Sequence, residues 1–89
     1  MKVAIRMTGW MRELAGTGRL ELELAGDARI EEALRAVAAA LPPGARARLG
    51  RNGSLHPSVL AVVRDRLAPP GSTLAPGDEI ELLLPVAGG

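Results

Sequence analysis

The feature that most constrains the fold is one change in the spacing of the apolar residues. Apolar and polar residues alternate before residue 30 and again in the EIELLL segment at 79–84, as they do in half-buried β-strands. Between these regions, one helical stripe is formed by Ile30, Ala33, Leu34, Val37, Ala38 and Leu41. A chain of 89 residues encloses a single core. The pattern therefore predicts an α+β domain in which one main helix covers a mixed sheet of roughly four or five strands.

The remaining segments predict the order ββαβ(β)β. Residues 2–7 and 19–25 are predicted to pair as a hairpin, with a short helix between them that Thr8 caps and glycines end. After the main helix, Pro42 and Pro43 prevent it from continuing, and residues 46–58 read as an irregular excursion. Residues 59–63 then predict a well-buried strand. The Pro- and Gly-rich turns after it leave Leu74 in a brief strand or bridge.

Composition excludes several classes of function. The net charge is +1 with acidic and basic residues interleaved, and Trp10 is the only aromatic residue, so nucleic acid is not an expected partner. The absence of cysteine excludes disulfides, thiolate metal sites and a cysteine nucleophile, and we expect no metal site. Lys2 is the only lysine. No segment is typical of a signal peptide or membrane span, so we expect a cytoplasmic protein without membrane contacts.

Isolated polar residues do not suggest an active site. His56 lacks acidic partners at ligand spacing, which favours a structural or solvated histidine. Glu79 and Glu81 share one face of the last strand, where they are expected to keep the outer sheet face soluble. Leu83 shares that outer face. Alone it would need no explanation, but with apolar neighbours on adjoining strands it would belong to a partner interface.

Four sequence features together are similar to the β-grasp, ubiquitin-like sulfur carriers, above all the small subunit of molybdopterin synthase and its thiamine-pathway relatives. They are MRELAG at 11–16, the helix RIEEALRAVAAAL at 29–41, LAPGDEIELLLP at 74–85, and the terminal Gly88-Gly89. One departure is Arg64-Asp65, which stands where such proteins commonly have an Asn-Gly turn. The resemblance implies a β-grasp fold, with a domain at 1–84 and a flexible diglycine tail at 85–89.

The two final glycines have no evident role in stability. A frayed chain end is the simplest interpretation, but glycine contributes no packing and is costly to order. Without Cβ atoms, Gly88 and Gly89 could thread a channel too narrow for side chains. The resemblance implies that the Gly89 carboxylate is adenylated, converted to a thiocarboxylate and used as the sulfur donor, while Pro85, Val86, Ala87 and Gly88 insert into a partner.

The resemblance also implies the partners. An E1-like adenylyltransferase would use ATP and magnesium, a separate protein would donate sulfur, and the large subunit of molybdopterin synthase would supply the pocket for precursor Z. The chain would bind no cofactor and would not be catalytic alone, acting as the sulfur-donating subunit of a heterotetramer. Alternatives are sulfur transfer for thiamine, tRNA thiolation or cysteine synthesis, a ubiquitin-like protein modifier, and a β-grasp interaction module without acyl chemistry.

Overall fold

The computed structural model describes residues 1–84, which form one mixed sheet, a small hairpin and three helices. Along the chain these elements are β1 (Lys2–Met7), α1 (Gly9–Ala15), β2 (Arg19–Glu23), α2 (Ile30–Ala40), α3 (Pro43–Leu49), β3 (Gly50–Arg51), β4 (Ser54–Leu55), β5 (Leu60–Val63), β6 (Arg66–Leu67) and β7 (Glu79–Leu83). The predicted α+β class is confirmed. Within residues 1–84, no helix has the length and apolar character needed to cross a bilayer.

The five-stranded sheet has the order β2-β1-β7-β5-β6. Its two inner neighbours, β1 and β7, run parallel, while the pairs β1–β2, β5–β7 and β5–β6 are antiparallel. The β1–β2 hairpin matches the prediction, although β2 ends at Glu23 and not at Ala25. The last strand likewise ends at Leu83. The carboxyl ends of β1 and β7, which are parallel, therefore lie next to each other at the same end of the sheet.

The core lies between the sheet and α2. Ile5 of β1 and Ile80 of β7 are directly paired, and neither has measurable exposure. Ala33 and Val37 of α2 are equally inaccessible to solvent. The alternation in β1, β2 and β7 and the helical stripe thus predicted the buried sides correctly, because both patterns follow directly from local backbone geometry. The well-buried strand predicted at 59–63 is wrong in part: β5 buries Ala61 and Val63, but Leu60 on its other face is exposed.

Backbone groups of the 69–73 loop cap the amino end of α2. The Ile30 N–H donates to the Ser72 carbonyl at 3.0 Å, and the Glu31 N–H donates to the Pro70 carbonyl at 2.9 Å. The Glu32 carboxylate accepts the Arg29 N–H at 3.0 Å. These bonds satisfy donors that a helix leaves free in its first turn. The same loop forms the predicted bridge, but through Thr73 paired with Arg29, while the neighbouring Leu74 is buried.

The prediction of an irregular excursion at 46–58 is wrong. The segment contains most of α3 and the hairpin of β3 and β4, which Asn52 and Gly53 join with φ angles of 53° and 77°. Two signals explain the difference. Ala45 and Leu49 lie one helical turn apart and are both buried, and Asn-Gly is the preferred pair for a two-residue hairpin loop.

Arg46 of α3 caps the carboxyl end of α2. Its guanidinium donates to the carbonyls of Ala38 at 3.1 Å, Ala39 at 3.0 Å and Leu41 at 3.0 Å. The last carbonyls of a helix have no partner within the helix and carry partial negative charge. A cation held across them therefore satisfies acceptors and opposes the helix dipole at the same time.

A tight turn fixes the start of β7. In the Ala75–Asp78 turn, Gly77 has a φ of 83°, and its N–H donates to the Lys2 carbonyl at 2.8 Å. The Ala4 N–H donates to the Asp78 carbonyl at 2.9 Å. These two bonds join the turn to β1 and so set the register of the central pair. The positive φ explains why glycine occupies this position.

The carboxylate of Asp78 holds this turn together. It accepts the Ala75 N–H at 2.8 Å and a guanidinium N–H of Arg64 at 2.5 Å. Burial raises the pKa of the Asp78 carboxyl, but these hydrogen bonds and the Arg64 charge outweigh burial and leave the pKa below its ordinary value of 3.8. Arg64 comes from the β5–β6 turn, where it and Asp65 adopt φ angles of 52° and 62°. The Arg64-Asp65 pair therefore makes a tight turn, although it stands where the resembling proteins commonly have Asn-Gly.

Replacing Arg46 with alanine is expected to lower the free energy of unfolding by about 1–2 kcal/mol, because three carbonyls at the end of α2 lose a charged donor. Urea unfolding followed by circular dichroism measures the change. Arg48→Ala is the matched control, since Arg48 is an exposed arginine of the same helix. Equal effects of the two substitutions would contradict the capping role.

Replacing Asp78 with asparagine is expected to destabilise the protein most near neutral pH. The folded-state pKa is lowered, so the ionised carboxylate stabilises the fold above the ordinary pKa of 3.8 that the unfolded chain has, and this contribution is lost as pH falls through the folded pKa. The difference from wild type in urea unfolding should therefore shrink in acid. Glu13→Gln, at an exposed carboxylate, controls for general loss of charge. A difference that grows as pH falls would contradict this assignment.

Candidate functional site

The sheet face turned away from α2 is divided into a polar half and an apolar half. On β2, β1 and the start of β7, the outward side chains are mostly charged; they are Arg19, Glu21, Glu23, Lys2, Ala4, Arg6, Glu79 and Glu81. On β5, β6 and the end of β7 they are Leu60, Val62, Leu67 and Leu83. We call these four residues the outer apolar patch.

Charges in the polar half neutralise one another across the strands. The Glu79 carboxylate lies 2.8 Å from Arg19 of β2 and 3.7 Å from Arg6 of β1. About half of each of these side chains remains exposed. Glu79 is therefore engaged in a solvated ion-pair network on the outer face, as expected for a residue that keeps it soluble, and not in a cleft suited to acid–base chemistry.

Leu83 lies within the outer apolar patch and is not an isolated apolar residue. It is the direct cross-strand partner of Leu60, and each is 37% exposed. Val62 is paired in the same way with Leu67, which is 65% exposed. Residues opposite each other in a ladder have adjacent side chains. The structure therefore favours the interface interpretation of Leu83, because neighbours from two other strands continue its apolar surface.

A groove of about 370 Å³ adjoins this patch at the carboxyl end of β7. It is lined by Leu60, Leu82, Leu83 and Leu84, and by Thr8, Gly9, Trp10 and Met11 around the start of α1. Trp10 is the sole aromatic residue of the chain, and 36% of its surface is exposed. Trp10 is a residue of this groove that the sequence patterns did not predict. Its position at the start of α1, three residues after the end of β1, was the available signal, since the parallel β7 ends at the same end of the sheet.

The predicted reactive and inserting residues lie outside the described part of the chain. Gly89, with Gly88, Ala87, Val86 and Pro85, follows Leu84, the last described residue. Their assignment therefore stays a prediction, as does the division into a domain and a tail. What the structure does give is the starting point: the chain reaches Pro85 from a half-buried leucine that lines the groove.

The remaining candidates have no catalytic surroundings. The Nδ1 atom of His56 accepts the Ser58 N–H at 3.0 Å, so the imidazole stabilises a local turn. Among residues 1–84, no three acidic, histidine or cysteine side chains converge in a way that could hold a metal ion. The outer apolar patch and the adjoining groove are thus the candidate site, and their chemistry suits protein contact.

Comparison with known proteins matches this fold to small carriers and modifiers. Residues 5–89 match the model of the ThiS family. The chain is 32% identical over 79 residues to small archaeal modifier protein 1 of Haloferax volcanii, covering 89% of this chain and 91% of that protein. A crystal structure of the same Haloferax protein superposes with a TM-score of 0.84 at 29% identity and covers all of both chains.

A more distant structure agrees in fold. The putative molybdopterin converting factor subunit 1 of Pyrococcus furiosus superposes with a TM-score of 0.74 at 21% identity, covering 97% of this chain and 99% of that one. The predicted β-grasp fold is confirmed by these superpositions. The mixed sheet is covered on one face by α2, and the family model matches nearly the whole length of the chain. The chain therefore belongs to the ThiS family and is a small ubiquitin-like β-grasp protein of the sulfur carrier and modifier type.

Proposed function

We propose that this protein is a sulfur carrier whose working atom is the carboxyl carbon of Gly89, presented to partner enzymes that dock on the outer apolar patch. The observation that carries the proposal is the patch itself, because β7 ends beside it and leads directly to residues 85–89. The family match extends through Gly89 and supports the same assignment. In this proposal the tail enters a partner while Leu83 and its neighbours hold the domain against that partner's surface.

The chemistry follows from the weakness of a carboxylate as an electrophile. An E1-like enzyme binding ATP and magnesium joins the Gly89 carboxylate to AMP and releases pyrophosphate. A hydrosulfide equivalent from the sulfur donor then attacks the acyl carbon and expels AMP, which leaves a thiocarboxylate. The chain itself binds no cofactor in this scheme. The thiocarboxylate is anionic and nucleophilic near neutral pH, as sulfur transfer requires.

The pathway that we propose for this sulfur is molybdenum cofactor synthesis. The thiocarboxylate donates sulfur to precursor Z within the large subunit of molybdopterin synthase, in a cytoplasmic complex of two small and two large subunits. Support comes from MRELAG at 11–16, which forms most of α1 and ends at Gly16, with a φ of 77°. Sulfur transfer for thiamine, tRNA or cysteine uses the same activated carboxyl and differs only in the recipient.

A second candidate is a protein modifier, favoured by the 32% identity to small archaeal modifier protein 1. Here the activated Gly89 carboxyl is attacked by a lysine amine of a target protein, which forms an isopeptide bond and expels the activating group. The two candidates share activation and differ in the fate of the acyl group. Blots of cells that express tagged protein separate them, since only a modifier gives a ladder of heavier adducts.

Co-expression with the activating enzyme and its sulfur donor is expected to raise the intact mass by the difference between one sulfur and one oxygen atom. Intact-protein mass spectrometry measures this shift. A chain without Gly88-Gly89 is the control and should keep its unmodified mass. An unchanged wild-type mass, under conditions in which the same enzymes load another carrier, would contradict the proposal.

Leu83→Asp is expected to weaken binding to the activating enzyme by about tenfold or more, because a carboxylate in a docking patch loses its hydration on binding. Calorimetric titration measures the dissociation constant. Leu83 is partly exposed, so urea unfolding should show little change in stability. Ala25→Asp, at an exposed position outside the patch, is the matched control. Equal binding by both variants would exclude the patch as the docking surface.

A further inference from the structure

The second feature suited to a partner is the free edge of β2, which ends the sheet on the side opposite to β6. Hydrogen bonds flanking the strand establish which backbone groups point outward. The Met7 N–H donates to the Gly18 carbonyl and the Leu24 N–H donates to the Met1 carbonyl. In an antiparallel ladder such bonds involve every second residue. Leu20 and Leu22 therefore also bond to β1, and the backbone groups of Arg19, Glu21 and Glu23 point away from it.

Local hydrogen bonds at both ends of β2 leave only the centre of this edge available for pairing. The Thr17 hydroxyl accepts the Arg19 N–H at 3.2 Å and donates to the Arg19 carbonyl at 2.9 Å, which confirms that these groups face outward. At the other end, the Ala25 carbonyl accepts the Ala28 N–H at 3.0 Å. Between these closed ends, no strand of the described residues lies against Glu21 and Glu23. Their N–H and C=O groups form a row open to an added strand.

The side chains around this row define what would fit it. Leu20, Leu22 and Leu24, which face the helix side, are only half-buried. On the outer side, the side chains of Glu21 and Glu23 are 61% and 73% exposed. Cations lie near both carboxylates: Glu21 is 3.8 Å from Arg19, and Glu23 is 3.1 Å from the Met1 nitrogen and directly opposite Lys2 in the ladder. An added strand would thus meet apolar surface on one side and carboxylates on the other.

We propose that the β2 edge at Glu21 and Glu23 binds an extended segment of a partner protein in which basic and apolar residues alternate. The segment's backbone pairs with Glu21 and Glu23, and its basic side chains lie opposite their carboxylates. The apolar residue between them covers Leu22. The charge of the edge selects this occupant, and its backbone groups supply the hydrogen bonds.

A second copy of this chain fits the edge poorly. Antiparallel pairing of two β2 strands over residues 19–23 places Glu21 directly opposite Glu21 of the other copy. Like charges facing each other across a ladder are destabilising. The same register places Arg19 opposite Glu23, but the backbone N–H and C=O of Arg19 are bonded to the Thr17 hydroxyl and are not open for this pairing.

This site is separate from the proposed docking of the tail. β1 and β7 lie between β2 and the strands that carry Leu60 and Leu67. A segment bound at β2 would leave the outer apolar patch and the groove near Trp10 open. The edge can thus hold one partner while another receives residues 85–89, and its binding does not require the proposed sulfur chemistry.

The test uses the full chain and the peptide acetyl-Val-Lys-Val-Lys-Val-amide, with amide hydrogen exchange followed by NMR. Saturating peptide is expected to slow exchange at the Glu21 and Glu23 N–H groups about tenfold or more, with little change near Leu83. Three controls are expected to give no such protection: a glutamate peptide of the same pattern, the lysine peptide with every backbone nitrogen methylated, and the lysine peptide added to Glu21→Lys/Glu23→Lys. The double variant should instead protect these amides with the glutamate peptide.

The matched charge control is Glu13→Lys/Glu31→Lys, which changes two exposed glutamates outside β2 and should keep the protection. A chain without Gly88-Gly89 should bind equally, so failure of the sulfur chemistry and failure of this site are separate results. Unchanged exchange at Glu21 and Glu23 would overturn the proposal. Protection that rises with protein concentration without peptide would also overturn it, since a second copy would then occupy the edge.

Discussion

The structure depends on the parallel pairing of β1 with β7 beneath α2. Ile5 and Ile80 meet in this pair without solvent exposure, and Ala33 and Val37 cover them from the helix. The pair joins the first strand to the last described strand, so every element between them must fold back over one small core. Burial of these apolar side chains supplies the main driving force, while the turn that ends at Asp78 fixes the register.

The same pairing determines where contact with other proteins is concentrated. Because β1 and β7 are parallel, the start of α1 and the end of β7 lie at the same end of the sheet, and Trp10 faces the groove next to Leu83 and Leu84. Ion pairs of Arg6 and Arg19 with Glu79 occupy the other half of the outer face. Apolar and charged surfaces are therefore separated on one sheet, which gives a small domain distinct places for different partners.

Segments with a strong local period were predicted well, and segments stabilised by distant contacts were not. β1 has its predicted bounds, and α2 is one residue shorter at each end than the helix predicted at 29–41. Helix α3 was not predicted, because its apolar spacing extends over only one helical turn. Its capping role depends on the tertiary structure, in which Arg46 donates hydrogen bonds to the carbonyls of α2. The outer position of Leu83 followed from alternation, but its contact with Leu60 required the order of the strands.

The sequence alone determined the class of the domain, the buried side of each long element and, through its motifs, the family. Periodicity and short motifs are local properties, so they are readable without coordinates. Only the tertiary structure decided that β7 lies between β1 and β5, that Leu60, Leu67 and Leu83 form one patch, and that Glu21 and Glu23 face a free edge. These features arise from pairing between residues far apart in the chain, and such pairing is chosen by the burial of the whole core and not by any local pattern.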